Sequence, residues 1–355
     1  MSQLCLLSGI AKTKRRRFLG AASVKPWSFI ISIMFESYYP KKFCREFVQI
    51  KGSGQLVNIM ATVKEIKPAM DDWVRVDRYD EYRRICKRYG LIVRTDTVFR
   101  MSKKKNILKN VIGGKRLTTT YAFGLPFNGS SKDGLVHVFI AKSKGNLENC
   151  FRDGWYPLII KHRVIDRPGI DIFKFGYNLG YPKCCVGFFR QFNNWYKYSY
   201  LYEAFKNTKK NRYHYLSNPC TRDITYSYIY HMPCAYNCKA TIELARKIKK
   251  AIYAEEPEFV EKIDRHLKLP LLIFYEIKFY AFDGEIKNGK LHYKDVYFIG
   301  QMSENNLYES DLKRGNCVFL EDRDVVILNN GKLIRRIRWQ RRNFAPEIPF
   351  IVQFN

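Results

Sequence analysis

The chain reads as an α+β protein, with a small N-terminal α/β unit, a central helical cysteine-rich region and a C-terminal β-rich, barrel-like module. Three observations predict this. Helical charge pairing and apolar stripes fill the middle of the chain, β-branched and aromatic runs fill its last quarter, and five of the ten cysteines lie between residues 184 and 238. The 355 residues are 46% hydrophobic and 27% charged, enough apolar material for sizeable cores and unlike a disordered chain. Lys plus Arg minus Asp plus Glu is 63 − 33, a net charge of +30. That excludes a near-neutral metabolic enzyme as the simplest class and points to a polyanionic partner, nucleic acid ahead of an acidic membrane.

Residues 1–40 form a basic N-terminal arm. Its KTKRRRFL segment resembles a twin-arginine export signal, but Lys25 and Pro26 interrupt the apolar run that should follow. The stretch Trp27 to Phe35 is far shorter than the roughly 20 residues that span a bilayer. A cytoplasmic protein without a membrane partner is therefore expected.

Residues 41–150 are expected to form the small α/β domain. Tyr79 to Tyr89 has helical charge pairing and a stop at Gly90, Leu91 to Val93 reads as a strand, and VIGGK (111–115) as a turn. Lys103 to Lys109 is a basic loop or short helix, and LVHVFIA (135–141) is a buried strand. Residues 151–268 form the helical cysteine-cluster domain and 269–355 the β-rich basic module. In the latter, LLIFYEIKFYAF, LHYKDVYFIG and CVFLEDRDVVIL are strand-like, and Asn329-Asn330-Gly331 is a hairpin turn signal. Lys332 to Trp339 should present one cationic face.

Two segments carry the chemistry. Gly180-Tyr-Pro-Lys-Cys184-Cys185-Val-Gly-Phe-Phe and His231-Met-Pro-Cys234-Ala-Tyr-Asn-Cys238-Lys-Ala each place a proline just before cysteine and a helical pattern after it. Both cysteine pairs are thus expected in the first turn of a helix, where unpaired N–H groups stabilise a thiolate. Phe188, Phe192 and Trp195 make the stripe of one helix, and Leu244, Ile248, Ala251 and Ile252 that of the other. Cys220 is a fifth candidate ligand, and His231 and His214 are nitrogen alternatives.

An iron–sulfur cluster is the first choice of occupant, because adjacent cysteines can bind different irons. Zinc is the alternative; its usual Cys-x-x-Cys knuckles are absent. Metal-free thiol chemistry at Cys184 and Cys185, or five plain buried thiols, also fit. The radical-SAM Cys-x-x-x-Cys-x-x-Cys pattern is missing.

Over roughly residues 135–255 these two motifs resemble an archaeal and bacterial family catalogued only as a domain of unknown function, with a Gly-Tyr-Pro-x-Cys-Cys segment and a downstream His-x-Pro-Cys-x-x-x-Cys segment. The resemblance implies that the four cysteines and His231 belong together; it implies no activity.

Positive charge concentrates at Lys103 to Lys105, at Lys209, Lys210 and Arg212, at Arg246, Lys247 and Lys250, and at Arg335, Arg336 and Arg338. Aromatics interleave with lysines over 192–230 (Trp195, Tyr196, Tyr198, Tyr200, Tyr202, Phe205, Tyr213, Tyr215), as base-stacking platforms or as core. The leading function is a basic protein with a cysteine-ligated metal centre that binds structured RNA, with RNA modification as a fitting role. A thiol-dependent redox or transferase enzyme and a metal-stapled adaptor are its rivals. No acid/base dyad or cofactor loop specifies a reaction.

Overall fold

A computed structural model describes residues 39–51, 55–101, 110–112, 115–117, 122–126, 134–154, 158–160, 163–165, 171–192, 199–209, 212–220, 226–275, 278–300, 308–338 and 349–355. Residues 1–38 of the basic arm, the 103–109 loop, Lys210, Trp195, Tyr196 and Tyr198 lie outside them. The architecture is mixed α+β. The sequence expectation drew boundaries at 150 and 268; by contact the chain divides into Cys44–Gly52 with Thr62–Gly180, and Tyr38–Phe43 with Ser53–Ala61 and Tyr181–Asn355. None of the helices among the described residues is long and apolar enough to cross a membrane.

The helices Glu46–Lys51 (α1) and Leu56–Val63 (α2) precede the sheet of the first unit. That sheet is antiparallel, in the order Ala69–Arg75 (β1), Leu135–Ala141 (β6), Ile92–Met101 (β2), Ala122–Pro126 (β5). β6 sits inside it, which is why LVHVFIA is apolar on both faces; six of its seven residues are buried. The helix Tyr79–Arg88 (α3) ends as read from sequence, with Gly90 at φ 71°. Asn110–Ile112 (β3) and Lys115–Leu117 (β4) pair antiparallel, and Gly113 and Gly114 of the expected VIGGK turn lie outside the described residues. Lys144–Asp153 (α4) starts at Ser143, whose hydroxyl accepts the Asn146 N–H. The hairpin Leu158–Ile160 (β7) and Arg163–Ile165 (β8) and the helix Ile172–Asn178 (α5) complete this part.

The second unit carries the cysteines. Its helices are Lys183–Phe192 (α6), Tyr200–Asn207 (α7), Lys239–Tyr253 (α8) and Pro257–Leu267 (α9). Its sheet has seven antiparallel strands, Leu271–Tyr275 (β9), Lys278–Lys287 (β10), Lys290–Gly300 (β11), Cys317–Glu321 (β12), Asp324–Asn329 (β13), Lys332–Ile337 (β14) and Phe350–Val352 (β15). The order is β14-β13-β12-β11-β10-β9-β15, with the helix Glu309–Arg314 (α10) between β11 and β12. Among the described residues β14 and β15 end this sheet unpaired with each other, so it is open and the barrel-like expectation is corrected. The expected hairpin is present: Asn330 and Gly331 have φ 48° and 79°, the left-handed pair that a two-residue turn needs. At the β10 bulge, a Cβ on Gly284 would lie 2.1 Å from the His292 carbonyl, so only glycine fits there.

Alternation along β9 and β10 sends side chains to two cores. Leu271, Ile273, Phe279 and Ala281 join Phe350, Val352 and Phe354 against Phe188, Tyr200, Leu201, Ala204 and Tyr236 of the helical region. Leu272, Phe274, Tyr280 and Phe282 pack on the other side with Leu312, Val318, Val325 and Ile327. The strand-rich tail is thus the platform that supports the cysteine region.

A long-range clamp closes this unit. The buried Glu256 carboxylate accepts the backbone N–H groups of Lys41, Lys42 and Phe43 at 2.9, 2.6 and 2.8 Å. Glu256→Ala leaves those donors without their acceptor and is expected to cost about 2–4 kcal/mol, on the scale of hydrogen bonds to charged groups. Urea unfolding checks this, with Glu256→Gln falling between the two.

Candidate metal centre

The first two ligands come from α6. Cys185 and Val186 donate their N–H groups to the Pro182 carbonyl, both at 3.0 Å, so Cys184 and Cys185 fall in the first helical turn as expected. The second pair departs from the expectation. Cys234 lies in a turn, not a helix, and Cys238 is the residue just ahead of α8. Pro233 therefore starts a loop rather than a helix.

That loop is held by the protein itself. Tyr236 is fully buried; its hydroxyl donates to the Leu201 carbonyl at 2.9 Å and its N–H to Thr208 Oγ1 at 2.9 Å. Its carbonyl accepts from the Ser217 hydroxyl and the His214 N–H, at 2.5 and 3.0 Å. Asn207 and Asn237 add side-chain bonds to the Cys234 and Lys209 carbonyls, at 3.2 and 3.0 Å. The loop's shape is set by a buried ring and backbone partners before any ligand bond forms.

The Sγ atoms of Cys184, Cys185, Cys234 and Cys238 all lie within 4.8 Å of one another. Cys184 to Cys238 is 3.6 Å, Cys185 to Cys238 is 3.8 Å and Cys184 to Cys185 is 3.9 Å. This is a four-cysteine group able to hold a metal. Cys184 is exposed, Cys234 half-buried, and Cys185 and Cys238 buried.

The protons are shared unevenly. Hydrogen bonds from Cys185 and Cys234 hold the Cys238 thiol well below its usual range against the cost of burial, with Thr241 adding to the effect. The Cys185 thiol is pushed up by its bonds to Cys234 and Cys238 and by burial. For Cys234 the bond with Cys185 acts downward, while Cys238 and burial outweigh it and push the thiol up to about 12. A cation must displace those protons to bind all four sulfurs as thiolates.

Two of the expected ligands stand elsewhere. Cys220 is buried in the aromatic core with Phe188, Tyr200 and Tyr236. His231 Nε2 lies 2.9 Å from Thr241 Oγ1, which lies 3.2 Å from Cys185 Sγ, so the histidine reaches the sulfurs through a threonine. His214 Nδ1 accepts the Leu216 N–H at 3.2 Å, outside the sulfur group. Sequence reading missed Thr241. Its signal was its place three residues after Cys238, where a side chain at a helix start turns back toward the residue before the helix. Thr241→Val is expected to weaken metal affinity about tenfold, as loss of such supporting partners does. Competition against a chromophoric chelator measures it.

No family model, curated protein or solved structure matches the chain.

Of the expected cationic residues, Lys209, Arg212, Arg246, Lys247, Lys250 and Arg338 are exposed, and Lys210 lies outside the described residues. Arg335 pairs with Asp311 at 3.1 Å, and Arg336 pairs with Glu321 and lies 3.9 Å from Asp324. As neighbours on a strand they project to opposite sides, so Arg335 leaves the cationic face expected for 332–339. The described aromatics of 192–230 spend their rings on each other: Phe205 and Tyr213 stack at 5.7 Å and 6°, and Phe189 stacks on Tyr200 at 5.4 Å and 18°. Tyr200, Tyr202, Phe205, Tyr213 and Tyr215 all belong to the core or pack against it.

Arg246, Lys247 and Lys250 recur on the side of α8 opposite the buried Thr241, Ala245, Ile248 and Ile252. Burial first, then the charges of Arg246, Lys249 and Lys268, hold His214 below its usual range. Lys249 bonds the Asp264 carboxylate and the Tyr215 hydroxyl, and Lys268 stands 4.6 Å over the Tyr215 ring. The outer side of α8 carries Arg246, Lys247 and Lys250, on a helix that begins one residue after Cys238.

Proposed function

We propose that the protein binds nucleic acid, with structured RNA as the first candidate, and that a single thiolate-bound ion fixes the start of the helix that carries the contact. The observation that carries the metal part is the sulfur spacing. Four sulfurs at about 2.3 Å from one tetrahedral ion stand about 3.8 Å apart. The three pairs among Cys184, Cys185 and Cys238, at 3.6, 3.8 and 3.9 Å, match that spacing, and Cys234 lies within 4.8 Å of each. A cubane cluster interposes an iron before each sulfur and needs about 6 Å between them. The geometry favours zinc, or one iron, over the iron–sulfur cluster that the adjacent cysteines suggested.

The residues fit such an ion chemically. Four thiolates around a divalent cation carry a net charge of −2, and two helix N-termini meet there, with Lys183 and Lys239 alongside Cys184 and Cys238. Bound there, the ion would tie α6 to the Cys234–Cys238 loop and so fix the first turn of α8. The stripe of Arg246, Lys247 and Lys250 supports the partner, since cations spaced along one helix side can meet successive phosphates.

Anaerobic purification followed by metal and sulfide analysis tests the centre. The expected result is one ion per chain and no inorganic sulfide; sulfide with several irons per chain overturns the single-ion reading. Binding to a hairpin RNA, followed by fluorescence anisotropy, should weaken steeply with salt. A flat salt response removes the nucleic-acid reading.

A further inference from the structure

We propose that Cys184 is an oxidation site, at which a peroxide attacks the centre, closes a disulfide between Cys184 and Cys238, and releases the ion. This rests on the metal reading above and adds a mode of control to the same site.

The four sulfurs are not equivalent. Among the described residues Cys184 is the one exposed cysteine; Cys44, Cys86, Cys150, Cys185, Cys220, Cys238 and Cys317 are buried and Cys234 is half-buried. A small oxidant arriving from water therefore meets the Cys184 sulfur first. Oxidation of a cysteine needs access to its sulfur, and Cys184 has it, in the first turn of α6.

The partner is set by distance. Cys238 Sγ is 3.6 Å away, from which a bond of about 2.0 Å needs a small side-chain movement. Cys185 is 3.9 Å away, but it is the next residue in the same helix, and a bridge between neighbours closes a tight ring that helical dihedrals oppose.

The step balances with hydrogen peroxide as the oxidant. The Cys184 thiolate attacks one peroxide oxygen and the O–O bond breaks, leaving a sulfenic acid and hydroxide. The Cys238 thiolate then attacks the Cys184 sulfur and expels a second hydroxide as the S–S bond forms. Two electrons pass from the two sulfurs to the peroxide, and protons from solvent convert both hydroxides to water. Cys185 and Cys234 remain as two ligands, too few to retain the ion.

The test uses the full chain loaded with zinc. Iodoacetamide below one equivalent should label Cys184 at least about tenfold ahead of every other described cysteine in peptide mapping. Hydrogen peroxide should then release one ion for each Cys184–Cys238 disulfide, and a thiol reductant with added zinc should reverse both. First labelling at another of the described cysteines, a Cys184–Cys185 bridge, or ion release without the 184–238 crosslink overturns the proposal. Cys238→Ser should accumulate a sulfenic acid at Cys184 that dimedone traps; if that variant does not fold, the mapping on the unaltered chain decides. Metal analysis of the same batch separates the two claims. A chain that binds no ion overturns the metal reading and the release step with it, whatever the crosslink does.

Discussion

Cys238→Ser is expected to lose the bound ion and to lower the melting temperature of the holo-protein by about 10 °C. Cys238 makes the two shortest of the printed sulfur contacts, 3.6 Å to Cys184 and 3.8 Å to Cys185, and is the sulfur toward which Cys185 and Cys234 direct their bonds. An ion present at a thousandfold over its Kd adds about 4 kcal/mol to the folded state. In a domain of this size each kcal/mol moves the melting temperature by about 2–4 °C. Chelation of the unaltered protein should give the same shift, and the variant should show no further response to chelator. A variant that keeps its ion and its melting temperature would mean that the four sulfurs meet without serving as ligands. The loop itself should survive, because Tyr236 and its backbone partners do not depend on the ion.

The second large effect concerns the partner. The triple substitution Arg246→Glu, Lys247→Glu and Lys250→Glu is expected to weaken binding to a hairpin RNA by at least about tenfold. It should also make the log–log dependence on salt shallower by about 2, since each phosphate contact contributes about 0.7–0.9 to that slope. All three residues are exposed, so metal content and melting temperature should stay unchanged. Unaltered RNA affinity in a folded, metal-replete variant would move the partner away from α8.

Local elements were legible where one physical signal dominated. LVHVFIA announced a buried strand because it is apolar on both faces, and Asn330-Gly331 announced a hairpin because few other residues tolerate positive φ. The cysteine group was legible as a set of residue types. Its inner geometry was not, because Pro233 looks like a helix start while the burial of Tyr236 makes a turn and delays the helix to Lys239. Cys220 and His231 are near the ligands in sequence, yet nothing local says which way a side chain points. Cys220 turns into the aromatic core, and His231 stops one residue short, at Thr241. The opposition of Arg335 and Arg336 was available from strand alternation alone. The open sheet was not, since closure depends on how its end strands meet.

The Glu256 carboxylate has a consequence for how the chain is made. Its three donors are residues 41–43, more than two hundred positions earlier, so that stretch leaves the ribosome long before its acceptor exists. Residues 41–43 must wait, solvated, until α9 has emerged, and a fragment started at Tyr181 would never receive them. Such a fragment should fold less firmly than the same residues in the intact polypeptide, and supplying 38–61 as a separate peptide should restore part of the difference.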